Sequence, residues 1–286
     1  MNYNFAYFGG EPLSVPTLDK LHEQGFIPRL IISNPDKPKG RNLEITSPPT
    51  AIWAKEHNIP LIQPESNAKL LSTFSSEEFG LAVRSEKKLE KMKYDFFIVV
   101  SYGKIIPKEI LDLPKLGTIN IHPSLLPKYR GPSPIVSPVL NGDSQTGVTI
   151  IQIDEEMDHG PILAQEEISL KGDENIGDLE KSLALLGGEL LIKIIPEFVA
   201  GKIKPIEQDH SKATFCKKIK KEDGLIDLND EGVKNYNKFR AYATWPRTFL
   251  FRDGKRVIIT DAVLEDGKFV IKKVIPEGGK EVDYKN

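Results

Sequence analysis

The first third of the chain alternates short apolar strands with a helix, and this order limits the fold more than any other feature. Residues 4–9 and 28–33 have the composition of buried strands, and residues 14–24 between them form a helical pattern that ends at Gly25. This order pairs the two strands in parallel through a right-handed crossover. Residues 95–101, the most apolar strand, belong at the centre of the same sheet. The sequence therefore predicts an α/β fold with a mostly parallel sheet.

A second, smaller unit follows this body. The apolar spacing of residues 176–199 predicts an amphipathic helix that closes the first unit. After Gly201 a helix is expected at residues 230–242, followed by short strands with Asp–Gly pairs between them, the usual hairpin signal. We therefore predict two domains, residues 1–201 and residues 202–286. Residues 66–93 have a charged helical pattern to which we assign no function.

Composition sets the class and the compartment. The chain has 286 residues, 39% of them hydrophobic and 28% charged, which is typical of a soluble globular protein with room for two domains. The single cysteine, Cys216, excludes an internal disulfide, and the N-terminus has no basic segment followed by an apolar one. No apolar run approaches the roughly 20 residues that span a bilayer. We expect a cytoplasmic protein.

The charge is distributed unevenly between the two predicted domains. Residues 202–286 carry 19 Lys and Arg against 14 Asp and Glu, a net charge of +5, whereas residues 1–201 carry a net charge of −7. A basic surface suits a polyanionic partner such as a nucleic acid, but it also serves solubility alone. Both interpretations are open at this point.

A long loop follows the second strand. Residues 34–49 are rich in proline and charge and contain Lys37, Lys39 and Arg41. The loop is either a solvated connection or a segment that faces a substrate, since long loops beside rigid sheets often carry function.

A polar pair ends one of the predicted strands. In Thr118–His122 the side chains of Asn120 and His122 share one face, because strand side chains alternate with a period of two. Pro123 ends the strand because it has no amide proton, so a stiff loop follows at residues 124–127. This arrangement is typical of a site at a strand end.

Three polar residues suggest an acyl-type transfer to an amine. His122 can act as an acid, a base or a charge-stabilising donor, Asn120 donates without titrating, and Asp158 can orient or charge the imidazole. Such a transfer needs a proton acceptor and a donor for the developing oxyanion. Taken singly, His122 can equally be a structural partner and Asp158 a turn residue. We interpret His159 as a bystander, and no His and Cys spacing predicts a metal site.

The order of motifs in this region resembles the tetrahydrofolate-dependent formyltransferases. The resemblance rests on the octapeptide NIHPSLLP at residues 120–127, YRG at 129–131, TGVT at 146–149 and Asp158-x-Gly160. It implies a Rossmann-like fold and 10-formyltetrahydrofolate as formyl donor and co-substrate, without a metal. The family's catalytic residues correspond to Asn120, His122 and Asp158. Its folate site corresponds to Ser124, Leu125, Leu126 and Pro127.

The flanking sequence resembles the members of this family that formylate methionyl initiator tRNA for translation initiation. The similarity includes residues 34–41, 226–227, 240–241 and 245–246. It implies that Lys37, Lys39 and Arg41 contact tRNA and that the C-terminal domain is an OB-like, tRNA-binding module. The alternatives are a formyltransferase for an amino-sugar nucleotide and an inactive RNA-binding relative. No membrane and no obligate protein partner is implied.

Overall fold

A computed structural model of the chain describes residues 3–39, 43–75 and 94–285. In chain order the strands of the first unit are β1 (Phe5–Gly9), β2 (Leu30–Ser33), β3 (Lys37–Lys39), β4 (Glu44–Thr46), β5 (Leu61–Ile62), β6 (Phe96–Val100), β7 (Thr118–His122), β8 (Gln145–Gln152) and β9 (Ile162–Ser169). Seven of them form one sheet in the order β5-β2-β1-β6-β7-β8-β9. The strands from β5 to β7 pair in parallel, whereas β8 and β9 run antiparallel.

Helices cover both faces of this sheet. They are α1 (Ser14–Glu23), α2 (Pro49–Glu56), α3 (Asn67–Ser75), α4 (Lys108–Leu111), α5 (Val136–Asn141) and α6 (Ile176–Val199). Strand alternation divides the core in two: Phe5 and Tyr7 of β1 pack with residues of α1 and α6, while Ala6 and Phe8 pack with residues of α3 and α4. Because both faces are covered, β1, β2 and β6 are buried along their whole length.

A small antiparallel sheet forms the C-terminal unit. Its elements are α7 (Gly232–Ala241), β10 (Phe249–Arg252), β11 (Lys255–Glu265), β12 (Lys268–Pro276) and β13 (Val282–Asp283), and the strands pair in that order. Both predicted Asp–Gly turns are present, at residues 253–254 and 266–267, with positive φ at each position. Two such angles are what a type I′ hairpin turn requires, and glycine and aspartate tolerate them. The unit has its own apolar core around Ile259.

The predicted Rossmann-like α/β fold with a smaller β-rich, OB-like C-terminal domain is confirmed. One local expectation was wrong: residues 34–49 contain the hairpin β3–β4 rather than a loop without regular structure. Its strands are only three residues long, too short for periodicity to reveal. Of the helical pattern at 66–93, α3 covers the beginning, and residues 76–93 lie outside the described part. Among the described residues, no helix is long and apolar enough to cross a membrane.

Candidate active site

Strand β7 carries two polar side chains to the edge of the sheet where the parallel strands end. Ile119 and Ile121 point into the apolar core, so Asn120 and His122 occupy the opposite face of the strand. The side chain of His122 is only 4% exposed, whereas Asn120 is partly exposed. Strand pairing on both sides, to β6 and β8, fixes this end of β7 rigidly.

The structure brings Asp158 next to His122. Nδ1 of His122 lies 3.5 Å from Oδ1 of Asp158, whose side chain is 15% exposed, and Nε2 lies 2.9 Å from the carbonyl oxygen of Tyr129. A carbonyl oxygen only accepts hydrogen bonds, so Nε2 carries a proton. Nδ1 then faces the carboxylate of Asp158. Each ring nitrogen of His122 therefore has an oxygen acceptor beside it.

Two hydrogen-bonded groups orient the carbonyl of Tyr129 toward His122. The Tyr129 hydroxyl donates to Asp143 over 2.7 Å and accepts from Asn141 over 2.8 Å. Burial raises the pKa of this hydroxyl to about 12, so it remains a donor near neutral pH. The backbone N–H of Tyr129 donates to Thr214, which anchors the residue from the other side.

The turn that holds Asp158 has an unusual backbone. Asp158 adopts a φ of 52°, in the left-handed region that non-glycine residues rarely occupy. Oδ2 of its carboxylate accepts from the backbone N–H of Gly131 over 2.8 Å. At Gly160 a Cβ atom would lie 1.9 Å from the carbonyl oxygen of Gln152, so only glycine fits. This close approach explains why the Asp158-x-Gly160 pattern requires glycine at residue 160.

The loop of the predicted folate site is bound to the neighbouring strands. Ser124 is fully buried, and its hydroxyl donates to the carbonyl of Lys128. The backbone N–H of Leu126 donates to Thr149, and its carbonyl accepts from Gln165. Leu125 and Pro127 are partly exposed, and Ser124 and Leu126 are buried. The first pair can contact a ligand directly, and the second pair shapes the loop.

A connecting segment between the two units, which includes Thr214 and Cys216, runs beside this loop. The backbone N–H of Thr214 donates to Pro127, that of Arg130 to Thr214, and that of Cys216 to Arg130. The thiol of Cys216 accepts from the N–H of Ser133, and burial raises its pKa. Sequence reasoning missed this segment as part of the site, because backbone pairing of irregular chain leaves no periodic pattern.

The histidine beside Asp158 does not contact His122. Nδ1 of His159 lies 2.7 Å from Oδ2 of Asp154, and its ring stacks on His210 with the centroids 4.0 Å apart. His159 thus links the turn at Asp154 to the segment that contains His210. It is a structural group outside the His122–Asp158 pair.

Two of the three predicted tRNA-contacting residues lie on strand β3. Lys37 is exposed, Lys39 is the last residue of β3 and its side chain is not described, and Arg41 lies outside the described residues. Asp36 anchors the hairpin: hydrogen bonds from Gln63 and then from Ser47 lower the pKa of its carboxyl. Burial lowers the pKa of Lys104, and the Lys37 charge lowers it further. Lys104 is a basic neighbour that the sequence did not indicate.

Comparison with known proteins places the chain in one family. The formyl transferase family matches residues 3–195, and the C-terminal domain of formyl transferases matches residues 218–278. A methionyl-tRNA formyltransferase of Kosmotoga olearia is 41% identical over 241 residues, which are 84% of this chain and 73% of that protein. A methionyl-tRNA formyltransferase of Chloroflexus aurantiacus is 36% identical over 96% of this chain and 84% of its own length.

Among solved structures, methionyl-tRNA formyltransferase from Clostridium thermocellum superposes with a TM-score of 0.61 at 17% identity. The two chains match over 99% of this chain and the whole of the other. At that identity the likeness supports the fold alone, while the family matches and the closer sequence relatives carry the assignment. The chain belongs to the formyl transferase family.

Proposed function

We propose that the chain transfers the formyl group of 10-formyltetrahydrofolate to the α-amino group of methionyl initiator tRNA, in the cytoplasm, at the start of translation. The observation that carries the proposal is the buried His122 paired with the partly exposed Asp158 beside Asn120, within a formyl transferase domain. The relatives named methionyl-tRNA formyltransferase support the choice of acceptor.

The reaction needs two kinds of group. The amine nitrogen bonds to the formyl carbon, the bond from that carbon to N10 of the folate breaks, one proton leaves the amine and one joins N10. At the tetrahedral stage the formyl oxygen carries negative charge, so a preorganised donor beside it lowers the barrier. A proton acceptor must also be near the attacking amine.

The three site residues divide these roles. Asn120 donates a hydrogen bond to the developing oxyanion, and the positive charge of His122 stabilises that oxyanion. Asp158 keeps His122 charged and relays the amine proton through water. Among the described residues no hydrogen bond engages the side-chain amide of Asn120, so that amide is available to the substrate. Burial of His122 strengthens the attraction between its charge and the oxyanion, because charges interact more strongly where water is excluded.

The folate donor binds against the loop of residues 124–127 in this proposal. Leu125 and Pro127 supply an apolar contact surface of the kind a pterin ring packs on, and Ser124 and Leu126 hold the loop in shape. The loop follows His122 directly along the chain, which brings the donor beside the catalytic residues. The donor supplies the activated formyl group.

The tRNA acceptor binds across basic groups in both units. Lys37 on β3 supplies one of these groups, and Lys39 and Arg41, close to it in the sequence, are assigned to the same contact. The exposed lysines at 217, 218, 220 and 221 follow the segment that borders the active site. The net charge of +5 on residues 202–286 suits phosphate contacts by an OB-like module.

Acceptor identity is tested by incubating the full chain with 10-formyltetrahydrofolate and one of three acceptors: methionyl initiator tRNA, the uncharged tRNA or an amino-sugar nucleotide. We expect formyl transfer to the charged tRNA alone. The sugar arm is included because an N-formyltransferase from Helicobacter canadensis, solved with folinic acid and dTDP-3-aminofucose, superposes with a TM-score of 0.65 at 17% identity. Transfer to the sugar alone would overturn the proposed acceptor, and no transfer in any arm would favour the inactive relative.

The hairpin contact predicts a change in salt dependence. Lys37→Ala removes one exposed cation, so the dependence of tRNA affinity on salt should lose about one unit of its logarithmic slope. Lys193→Ala on α6 also removes an exposed lysine and serves as the matched control. Titration of labelled tRNA at several salt concentrations gives both slopes. Equal slopes for Lys37→Ala and the unmodified chain would show that Lys37 does not contact the tRNA.

A further inference from the structure

Gln208 lies between the two domain matches, outside both, and yet is 4% exposed. Its side-chain amide nitrogen donates to two backbone carbonyls, that of Asp158 over 2.9 Å and that of Gly160 over 2.8 Å. A side chain from the connecting segment therefore binds both ends of the turn that carries Asp158. No other hydrogen bond to the carbonyl oxygen of Asp158 or Gly160 occurs among the described residues.

Arg130 fixes the orientation of this amide. Its Nε and one terminal nitrogen approach the amide oxygen of Gln208 at 3.2 Å and 2.6 Å, and the guanidinium is also buried. Arginine only donates hydrogen bonds, so the amide oxygen must face it and the NH₂ group must face the two carbonyls. The same guanidinium also donates to Nδ1 of His210, and this hydrogen bond fixes the position of the Arg130 side chain. The amide therefore has one satisfied orientation.

The held turn is the one that aims the carboxylate. Asp158 has the left-handed backbone angle of 52°, a conformation that persists only where the surroundings determine it. From that backbone its carboxylate reaches both Gly131 and His122. The two donated hydrogen bonds of Gln208 restrain the backbone on either side of residue 159. A shift of this turn would change the distance of 3.5 Å between the carboxylate and the imidazole.

We propose that Gln208 is a positioning residue for formyl transfer: through the Asp158 and Gly160 carbonyls it sets the carboxylate of Asp158 against His122. The inference rests on the proposed function for its kinetic readout. Gln208 touches neither reacting group, and it acts through the backbone of Asp158. Arg130 supports it by fixing which end of the amide faces the turn.

The sharpest variant is Gln208→Glu, which keeps the shape and the acceptor for Arg130 but removes the donor. Two carbonyls then face a carboxylate oxygen, so the turn must move. We expect kcat to fall on the order of 10²-fold, the scale of a 1 Å misplacement, with KM for donor and tRNA little changed. Asn235→Asp is the matched control, since this buried amide on α7 also donates to a backbone carbonyl, that of Asp227. It should lower the melting temperature and leave kcat unchanged.

A double-mutant cycle separates positioning from general destabilisation. If Gln208 acts through Asp158, then Gln208→Glu costs little further turnover in an Asp158→Asn background. An equal fold-loss in both backgrounds would overturn the proposal. Gln208→Met, which also removes the donor, repeats the cycle if the glutamate variant does not fold.

A readout without turnover keeps this inference distinct from the proposed function. The ring nitrogen chemical shifts of His122, measured by NMR at fixed pH, should change in Gln208→Glu and stay the same in Asn235→Asp. Unchanged shifts in both variants would overturn the positioning role even if the unmodified chain formylates methionyl-tRNA. Changed shifts in a chain without formyl transfer would uphold the role and overturn the proposed function.

Discussion

Replacing Asp158 by asparagine isolates the charge of the carboxylate from its shape. The asparagine oxygen can still accept the N–H of Gly131, which leaves the NH₂ group facing Nδ1 of His122. That nitrogen must then be an unprotonated acceptor, while Nε2 continues to donate to Tyr129. The substitution therefore holds His122 in its neutral form and removes the charge that we assign to oxyanion stabilisation.

The magnitude follows from the distance. Unit charges separated by the observed 3.5 Å attract by about 5 kcal/mol at an effective dielectric constant of about 20. Water relieves part of this, since the Asp158 side chain is 15% exposed, and the asparagine dipole replaces another part. With one decade in rate for each 1.36 kcal/mol, we expect kcat to fall on the order of 10³-fold.

The assay is single-turnover formylation of methionyl-tRNA with donor and enzyme in excess, which reports the chemical step. Asp154→Asn is the matched control, because Asp154 pairs with His159 and has no contact with His122 among the described residues. The control should retain turnover close to that of the unmodified chain. Refutation would be an Asp158→Asn variant that folds and turns over within about tenfold of the unmodified chain, a loss too small for a charge partner.

Two further predictions concern the oxyanion donor and the joint between the units. Asn120→Ala should lower kcat on the order of 10²- to 10³-fold if its amide donates to the oxyanion, and near-normal turnover of a folded variant would exclude that role. Arg240→Met should destabilise the fold by about 2 kcal/mol, since it removes hydrogen bonds of a buried cation to Asn237 and the Glu174 carbonyl. Burial raises the pKa of Glu174, but backbone N–H groups and the Arg240 charge outweigh it and lower that pKa. The stabilisation by Glu174 is present at neutral pH and is lost as the pH falls through the lowered pKa. The loss of unfolding free energy in Arg240→Met, measured by urea unfolding, should therefore become smaller in acid. A loss independent of pH would contradict the pairing of Arg240 with Glu174.

Local patterns in the sequence were enough to predict the sheet and the face on which Asn120 and His122 lie. Burial on both sides forces continuous apolar runs such as Phe96–Val100, and alternation along Thr118–His122 assigns each side chain to a face. Both signals are local, so they survive without knowledge of the fold. The Asp–Gly turns of the C-terminal sheet were predictable for the same reason, because positive φ selects residue types directly.

The approach of Asp158 to His122 was not predictable from local patterns. It depends on the left-handed backbone of Asp158 and on partners far away in the chain, Gly131 and Gln208. In this turn the Gln208 amide donates to backbone carbonyls, which every residue has. The hydrogen bonds therefore do not select particular residue types in the turn, and the sequence carries no signal of them. Only the resemblance to a family indicated that His122 and Asp158 act together.

The same reasoning bears on the division of the chain into domains. Apolar patterns mark a boundary where one core ends and another begins, and they predict it near residues 201 and 202. The polar contacts of the site follow a different logic: Gln208, Thr214 and Cys216 lie past that point and bind the turn and the loop that surround His122. A core needs contiguous apolar surface, whereas a site needs a few well-placed donors, which can come from any segment that passes nearby. The segment that continues into the exposed lysines at 217, 218, 220 and 221 therefore supports His122 and Asp158, so the proposed catalytic pair and the proposed acceptor surface share one stretch of backbone.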